Sequence, residues 1–382
     1  MRYVFKFGGS SLASTEKIKQ VAAFIKTIKQ RKNTELIIVV SAMGKLTDKL
    51  EALAKKITSQ TSMAYSSLIC LGENISTYLL TLALEELSVE AIGLTSKDIK
   101  IHSKGDPSSS IITHIDTNKI NQYLKENKVV VVSGFQGENE AGQTLTLGRG
   151  GSDTTAVALG YVFNAKVKIF TDVKGFFALN PKLYNNVKLL RKINITSAIN
   201  LSNTGAKVLD YRCLCLANKN KTNLEVCESL KSNGTKVTYN NIENYHIDGI
   251  SVKNKIIFVK NTSNKINLLQ TIFENTISKT YFYQKNQYEW LALEYNKSIL
   301  QSFKTLKTKQ LFFKNADILT LSGSGLLSHK EFFKKVHYCI KNSKVPIYHI
   351  NLTQTTLTII TKQNKANEIE KELGKIFNLF KE

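Results

Sequence analysis

The stretch at residues 144–160, TLTLGRGGSDTTAVALG, combines residue types that suit the binding of a small anion. A short β-type run leads into a glycine turn at 148–151, and Ser152 and Asp153 then open an apolar run typical of a helix. Ser, Asp and Thr are preferred at helix N-termini, where unpaired N–H groups and the positive dipole end favour an anion. Arg149 adds a planar fork that can bind a carboxylate or phosphate in two places. The stretch therefore predicts an anion site between a strand and a helix; a glycine turn that only connects the two is the alternative.

A second glycine turn follows the first predicted strand, at residues 3–7. Gly8 and Gly9 come directly after this strand, and a helix is predicted next because apolar residues recur on one face: Ile18, Val21, Ala22, Ile25 and Ile28. A strand, a glycine turn and a helix aim backbone N–H groups at phosphate. Lys6, at the end of the strand, can then reach a transferred phosphoryl group as a point charge, whereas a merely solvated lysine is the alternative.

The remaining pattern alternates buried strands with helices, which is typical of an α/β protein with a mainly parallel sheet. Further strands are predicted at 36–40, 89–95, 128–133, 166–170 and 223–227. A helical run at 65–87 is expected to be interrupted at 71–74. Asp172 follows the strand at 166–170, and the carboxyl end of a parallel strand is where α/β proteins bind ligands. Gly137 and Gly142 have the glycine spacing of a Walker A loop, but Gln143 stands where the lysine of that motif would be, so the motif is absent.

From residue 249 onward the pattern changes to short strands around single helices, after a polar linker at 241–248. Strands are predicted at 255–260, 288–295, 318–322, 347–351 and 355–361, and helices at 266–274, 331–342 and 364–377. This order predicts a small α+β region that is separate from the first domain.

Length and composition limit the class of protein. A chain of 382 residues exceeds what one hydrophobic core normally serves, so two or three domains are expected. No apolar run approaches the roughly 18 residues that span a bilayer, and no signal-peptide pattern is present, so we expect no membrane segment and a cytoplasmic location. The cysteines form no paired framework and do not have zinc-site spacing: Cys70, Cys213, Cys215, Cys227 and Cys339.

The net charge of +23 raises the question of nucleic-acid binding. The lysines are scattered through every segment instead of forming one stripe or tail, so we do not expect a nucleic-acid partner. The chain has five arginines against 48 lysines. Placing an arginine at position 149 therefore indicates a need for two-point recognition that lysine cannot supply.

The segment TLGRGGSDTTAVAL resembles the signature of the aspartate kinases, a branch of the amino-acid kinase family. Three further segments resemble that family's motifs in the same order: VFKFGGSSLAS, IIVVSAMGKLTDKL and IFTDVKGFFALNPK. The resemblance implies a three-layer αβα sandwich with a mainly parallel central sheet at 1–240. It also implies two α+β ACT-type modules of βαββαβ order, at 249–315 and 316–382, with the strand at 249–253 pairing into the second module.

The activity implied by this resemblance is Mg-ATP-dependent phosphorylation of the side-chain carboxylate of L-aspartate. The products would be ADP and 4-phospho-L-aspartate, the first intermediate of lysine, threonine, methionine and diaminopimelate biosynthesis. Lysine or threonine is implied as an effector at the ACT modules, and a homodimer or higher homo-oligomer is implied through them. The alternatives are a family member that acts on a related small carboxylate, and a non-catalytic amino-acid sensor.

The resemblance also assigns roles to individual residues. Lys6 and Asp153 would be catalytic, with Asp153 holding Lys6 and the metal-bound phosphates in register. The residues that would bind aspartate are Thr47, Glu73, Arg149 and Ser152. The residues that would contact ATP are Lys6, Gly8, Gly9, Ser10, Ser41, Thr171, Asp172, Phe177, Lys182 and Lys207. No side chain is expected to form a dedicated metal site.

The sequence departs from the family pattern at a few positions near these residues. Asn74 replaces the arginine that usually follows the glutamate, and Lys174 replaces a usual acidic residue. Lys182 replaces a usual arginine, and Asp210-Tyr211 replace the usual His-Pro, while Arg212 matches the pattern. These departures raise the question of how Glu73 and the nucleotide are held.

Overall fold

The computed structural model describes residues 1–231, 233–239, 244–261, 280–285, 288–294 and 311–381. The chain forms two compact units, each made of several stretches. The first unit comprises Met1–Phe176, Leu189–Ile199 and Lys207–Asn240, and the second comprises Phe177–Lys188, Asn200–Ala206 and Asn241–Glu382. The domain and module boundaries drawn from the sequence stay predictions. The helix predicted at 266–274 lies outside the described residues.

The first unit alternates strands and helices along most of its length. Its strands are β1 (Arg2–Phe7), β2 (Glu35–Val40), β3 (Ala91–Leu94), β4 (Ile101–Lys104), β5 (Ile111–Ile115), β6 (Val129–Ser133), β7 (Gln136–Glu138), β8 (Thr144–Thr146), β9 (Lys166–Thr171), β10 (Lys192–Asn194), β11 (Leu224–Glu228) and β12 (Gly234–Thr238). Its helices are α1 (Thr15–Lys29), α2 (Leu46–Lys55), α3 (Met63–Glu86), α4 (Asn118–Lys125), α5 (Gly151–Val162) and α7 (Tyr211–Asn220), while α6 (Ile195–Asn203) continues into the second unit.

A central sheet of eight strands, in the order β10-β12-β11-β9-β1-β2-β6-β3, organises the first unit. Every neighbouring pair is parallel except β11 and β12. Alternate side chains of a strand point to opposite faces, so Phe5 and Phe7 of β1 join the core that α1 and α3 cover. Lys6 points to the other face, which α5 covers. The predicted fold class, a mainly parallel sheet between two helical layers, is confirmed.

Two features of this unit differ from the sequence prediction. Helix α3 is continuous through the predicted interruption at 71–74, so that prediction is wrong. Gly72 does not break the helix; a larger residue does not fit at this position, because a Cβ there would lie 2.7 Å from the Ala42 Cβ. Five short strands were not predicted: β4, β5, β7, β10 and β12. Strands β10 and β12 pair with each other in the central sheet, whereas β4, β5 and β7 form a separate four-stranded sheet with β8, in the order β5-β4-β7-β8.

Helix α3 is also long and apolar enough, by length and composition, to cross a membrane, which the sequence reading did not anticipate. A helix in a protein core passes the same test, and half of the apolar window of α3 is buried within the structure. Its buried residues include the polar Ser66, Glu73 and Thr77. The helix therefore gives only weak evidence for a membrane span.

The described residues of the second unit form a six-stranded sheet. Its strands are β13 (His246–Asn261), β14 (Thr280–Lys285), β15 (Tyr288–Glu294), β16 (Leu311–Ser324), β17 (Ile347–Leu352) and β18 (Thr356–Lys362), in the order β14-β15-β13-β16-β18-β17. Its described helices after residue 244 are α8 (Lys330–Ser343) and α9 (Ala366–Ile376). The long strands β13 and β16 pair from His246 opposite Ser324 to Asn261 opposite Leu311. The antiparallel sheet and its helices confirm the predicted α+β architecture of this region.

One carboxyl group in the core of the second unit is unusually placed. Glu370 of α9 is fully buried, and the Tyr184 hydroxyl donates a hydrogen bond to its Oε2 at 2.9 Å. Its Oε1 is buried with no hydrogen-bond partner among the described residues. Burial raises the pKa of Glu370 from an ordinary 4.5 to about 7. The folded protein therefore favours the protonated form of this side chain.

We predict that Glu370→Gln stabilises the protein at pH 8 and has little effect at pH 5. Because the folded pKa of Glu370 lies above the unfolded one, the wild type loses stability as pH rises from about 4.5 through 7. The variant should gain up to about 3 kcal/mol at pH 8. Denaturant unfolding across this pH range measures the gain, with the exposed Glu372→Gln as control. Parallel stability curves for wild type and Glu370→Gln would contradict this account.

Candidate active site

The carboxyl ends of four adjacent parallel strands meet at one edge of the first unit's sheet. Strands β9, β1, β2 and β6 are neighbours, and their registers place Phe170 beside Phe7, Phe7 beside Val40, and Val40 beside Ser133. Beyond the strand ends the alignment continues, since Gly8 N donates to Phe170 O. Open α/β sheets bind ligands at this edge. Segments that are far apart in sequence are thereby brought to one place.

Lys6 and Asp153 form an ion pair at this edge, with 2.6 Å between Nζ and Oδ1. Their side chains are only 11% and 14% exposed. Asp153 lies in the first turn of α5, where the helix dipole favours a negative charge. The N-cap is Gly150, with φ 70°, and not one of the Ser, Asp or Thr residues favoured by the sequence pattern. A left-handed turn at this glycine leaves the Asp153 carboxylate available to face Lys6.

The glycine turn after β1 lies against the segment that follows β2. A Cβ at Gly9 would be 2.8 Å from Ala42 O and 2.9 Å from Gly44 O, so a side chain does not fit there. Gly44 N donates to Gly9 O at 3.0 Å and joins the two segments. A Cβ at Gly8 would be 3.5 Å from the Lys6 Nζ. The absence of side chains at Gly8 and Gly9 therefore allows close backbone packing and keeps space open beside the Lys6 ammonium.

Glu73 supplies a second carboxylate near this edge. It lies in α3, is 3% exposed, and accepts a hydrogen bond at Oε1 from Ala42 N at 3.0 Å. Burial raises the pKa of Glu73 to about 7, against the opposing effects of the Ala42 N–H and the Lys6 charge. Its Oε2 is buried and has no hydrogen-bond partner among the described residues. A buried acceptor without a donor is costly, and an incoming ammonium group would satisfy it.

The other residues predicted to bind aspartate are Ser152, Thr47 and Arg149, and they lie in different settings. Ser152 is buried in the first turn of α5, and a Cβ at Gly134 would be 2.7 Å from its Cβ, so this turn lies against the end of β6. Thr47 is the second residue of α2 and is half-buried. Arg149 is exposed in the loop before α5. The structure thus brings Ser152 and Glu73 to the strand edge and leaves Arg149 accessible to a ligand.

The predicted nucleotide-binding residues divide between the two units. Ser41 follows β2, and Thr171 ends β9 with its hydroxyl donating to Asp172 Oδ1 at 3.1 Å. Ser10 is exposed in the turn after Gly9, and Lys207 is exposed in the connection between α6 and α7. The remaining two predicted contacts belong to the second unit: Phe177, which is half-buried, and Lys182, which is exposed. The nucleotide roles of all these residues stay predictions.

Comparison with known proteins identifies the family of this chain. The family described as "Amino acid kinase family" matches residues 1–228. An aspartokinase of Rickettsia felis is 30% identical over 397 residues, which cover 98% of this chain and 98% of that protein. The chain belongs to the aspartokinases of the amino acid kinase family. The family expected from the four sequence motifs is therefore confirmed.

Solved aspartokinase structures share the fold of this chain. Aspartokinase III of E. coli in complex with aspartate and ADP, in the R-state, aligns with a TM-score of 0.82 and 19% identity, covering 99% of this chain and 100% of that one. The same enzyme with lysine and aspartate, in the T-state, aligns with a TM-score of 0.76 and 20% identity over 99% of each chain. At this identity the likeness supports the fold.

The structure shows how this aspartokinase accommodates Asn74, which stands beside Glu73. Gln136 Nε2 donates to Asn74 Oδ1 at 2.9 Å, and Ser96 Oγ donates to Gln136 Oε1 at 3.2 Å. A chain of neutral groups thus occupies the place expected for an arginine. Because asparagine brings no positive charge, it does not lower the pKa of Glu73. No sequence pattern assigned a role to Gln136, because its contact with Asn74 joins positions 62 residues apart.

Asp210 and Lys174, which also depart from the family pattern, have different structural settings. Asp210 is the N-cap of α7 and accepts a hydrogen bond from Arg212 N at 2.9 Å. It also lies directly against the glycine loop, since a Cβ at Gly150 would be 2.2 Å from the Asp210 Cβ. Lys174 is exposed. Asp210 therefore has a clear structural role in this chain, and nothing in the structure explains Lys174.

We predict that aspartate binds more tightly as pH rises from 6 to 8, because Glu73 must be ionised to accept the substrate ammonium. With a raised pKa of about 7, Glu73 is mostly protonated at pH 6 and mostly ionised at pH 8. The dissociation constant should fall by about tenfold over this range. Calorimetric titration with L-aspartate measures it.

Glu73→Gln is the matched variant, since it keeps the shape of the side chain and cannot ionise. Its aspartate affinity should be weaker at pH 8 and nearly independent of pH. ATP affinity, measured in the same buffers, serves as the control for general pH effects. The account of Glu73 fails if the variant retains the pH dependence of the wild type.

Proposed function

We propose that this aspartokinase catalyses the phosphorylation of L-aspartate by Mg-ATP, giving ADP and 4-phospho-L-aspartate. The observation that carries the proposal is the largely buried Lys6–Asp153 pair at 2.6 Å. It joins the end of β1 to the first turn of α5 at the carboxyl edge of the sheet. A buried ammonium beside the N-terminus of a helix is suited to a phosphoryl group in transfer.

The chemistry requires alignment and positive charge. An oxygen of the aspartate side-chain carboxylate forms a bond to the γ-phosphorus while the bond from that phosphorus to the β,γ-bridging oxygen breaks, and ADP leaves. The carboxylate is already ionised at neutral pH, so no general base is needed. Lys6 stabilises the charge on the transferred group, and Asp153 holds Lys6 in place. The Gly8 and Gly9 backbone, free of side chains, lets the phosphates approach.

The amino-acid subsite is proposed on the opposite side of the transferred group. Glu73 offers its unpartnered Oε2 to the substrate ammonium. Arg149 is the exposed guanidinium in the glycine loop and would bind the α-carboxylate in two places. Ser152 and Thr47 would add hydroxyl contacts. The neutral surroundings of Asn74 leave Glu73 as the charged group that selects an ammonium.

Mg²⁺ fits this site as a companion of ATP. Among the described residues no group of three or more His, Cys, Asp or Glu side chains could hold a metal ion. Mg²⁺ usually keeps several waters and is bound through substrate phosphates and one or two carboxylates. Asp153, beside Lys6, is the carboxylate suited to that role. Bound with ATP, the ion would neutralise part of the phosphate charge.

Three further features are part of the proposal. The T-state structure of the E. coli enzyme is a complex with lysine and aspartate. We expect lysine or threonine to act as an effector on the α+β region of this chain. We expect a homodimer or higher homo-oligomer through that region, because association covers exposed sheet edges. A cytoplasmic location stays part of the proposal, because the cysteine spacing shows no paired framework of the kind found in secreted proteins.

We predict that Lys6→Ala and Asp153→Ala each abolish turnover while the protein stays folded. Removing Lys6 takes away transition-state charge stabilisation and should cost 10²-fold or more, on the order of 3 kcal/mol or above. Steady-state ADP release measures the rate, and circular dichroism checks the fold. Lys19→Ala, which removes an exposed lysine of α1, is the control. Near-normal rates in both variants would overturn the assignment.

The decisive experiment measures ADP release with Mg-ATP and L-aspartate, with and without lysine or threonine. Aspartate-dependent turnover supports the proposed kinase, and inhibition identifies the effector. Turnover with a different small carboxylate would point to another specificity within the family. Absence of turnover together with binding of an amino acid would favour a non-catalytic sensor.

A further inference from the structure

Arg212 connects two backbone segments beside the glycine loop. Its Nη1 donates to Leu147 O at 2.5 Å, and its Nη2 donates to Ser110 O at 2.8 Å. Leu147 directly precedes the loop 148–151, and Ser110 lies just before β5, at a sequence separation of 102 residues from Arg212. One guanidinium thus holds two carbonyl groups from different parts of the chain.

The segment containing Ser110 is itself tied to the strand that leads into the loop. Ser110 N and Ser110 Oγ both donate to Thr146 O, each at 2.9 Å. Thr146 N donates to Pro107 O at 2.8 Å. Arg212 closes this set of bonds at the position where the strand ends. Arg212 therefore holds the carbonyl of Leu147, two residues before Arg149.

The base of Arg212 is also fixed with respect to the loop. Asp210, the N-cap of α7, accepts from Arg212 N at 2.9 Å and lies directly against Gly150. A Cβ at Gly148 would be 3.5 Å from the Arg212 Nη1. Both ends of the loop therefore contact the first turn of α7: Gly148 at the guanidinium and Gly150 at the cap.

The residue type matches this task. Two carbonyl oxygens in different directions require a rigid fork with several donors, which arginine has and lysine lacks. The chain uses arginine at only five positions against 48 lysines. The guanidinium is half-buried, so its hydrogen bonds to the backbone are partly shielded from water.

We propose that Arg212 is a positioning residue for the aspartate subsite. It fixes the loop that presents Arg149 and Ser152, and it makes no contact of its own with the substrate. This inference rests on the proposed function, because it assigns the loop to aspartate. Its physical content, that Arg212 restrains residues 146–151, is independent of catalysis.

The test compares Arg212→Met and Arg212→Lys with wild type, using Arg191→Met as a matched control at an exposed arginine. Arg212→Met should raise the KM for aspartate by about tenfold, with a much smaller change in the KM for ATP. Arg212→Lys keeps a charge that can reach one carbonyl, so its KM for aspartate should lie between those of wild type and Arg212→Met. The Lys variant also keeps the test valid if the Met variant does not fold.

Amide hydrogen exchange of peptides that cover 144–151 supplies a readout that does not depend on turnover. The amide of Leu147 donates to Phe135 O, and that of Gly151 donates to Gly148 O. These amides should exchange about tenfold faster in Arg212→Met and stay unchanged in Arg191→Met.

Unchanged exchange in this loop, or an equal rise in the KM values of both substrates, would overturn the positioning role. A loss of thermal stability without either effect would show that Arg212 only supports α7, and would overturn it as well. A wild-type protein that does not phosphorylate aspartate would overturn the proposed function alone, because the exchange comparison would still decide the role of Arg212.

Discussion

The ion pair between Lys6 and Asp153 imposes the strictest requirement on the first unit. Removing an ammonium and a carboxylate from water is costly unless the two groups are held in good geometry. The central position of β1 fixes the lysine, and the first turn of α5 fixes the aspartate. Close contacts hold the first turn of α5, because neither Gly134 nor Gly150 has room for a side chain. The sheet, the glycine loops and the helices together hold the ion pair between Lys6 and Asp153.

The two carboxylates near this edge, Asp153 and Glu73, differ in whether their oxygens have partners. Asp153 Oδ1 has an ion-pair partner in Lys6, whereas Glu73 Oε2 is buried without a hydrogen-bond partner among the described residues. Such a group raises the energy of the ligand-free protein and gives part of that energy back when a cation arrives. The neutral chain of Asn74, Gln136 and Ser96 preserves this difference, since a neighbouring arginine would satisfy Glu73 before any substrate did. Selectivity for an ammonium group would then come from the protein's own unmet hydrogen bond.

Local patterns predicted what depends on local physics. The buried face of α1 consists of the five residues whose spacing predicted it, because the amphipathic period is written in the segment itself. The predicted interruption of α3 failed because Gly72 is explained by the approach of Ala42, a tertiary contact that no window of sequence contains. Arg212 received no role for the same reason. The family motifs indicated which segments meet, but the bond partners of Glu73 and Arg212 emerge only when the chain is folded.

The second unit draws on the middle of the chain as well as on its end. Residues 177–188 and 200–206 belong to it, although both stretches precede the linker in sequence. Ala178 O accepts from Ile250 N, Thr204 bonds to Ser251 between hydroxyls, and Val187 forms a β-bridge with Phe380. A protease or a gene fusion that separated the chain near residue 245 would strip these two stretches of their partners and leave the remaining piece without two of its supports. The C-terminal region alone is therefore not an exchangeable module. Recombination between relatives would have to exchange the internal stretches 177–188 and 200–206 together with it.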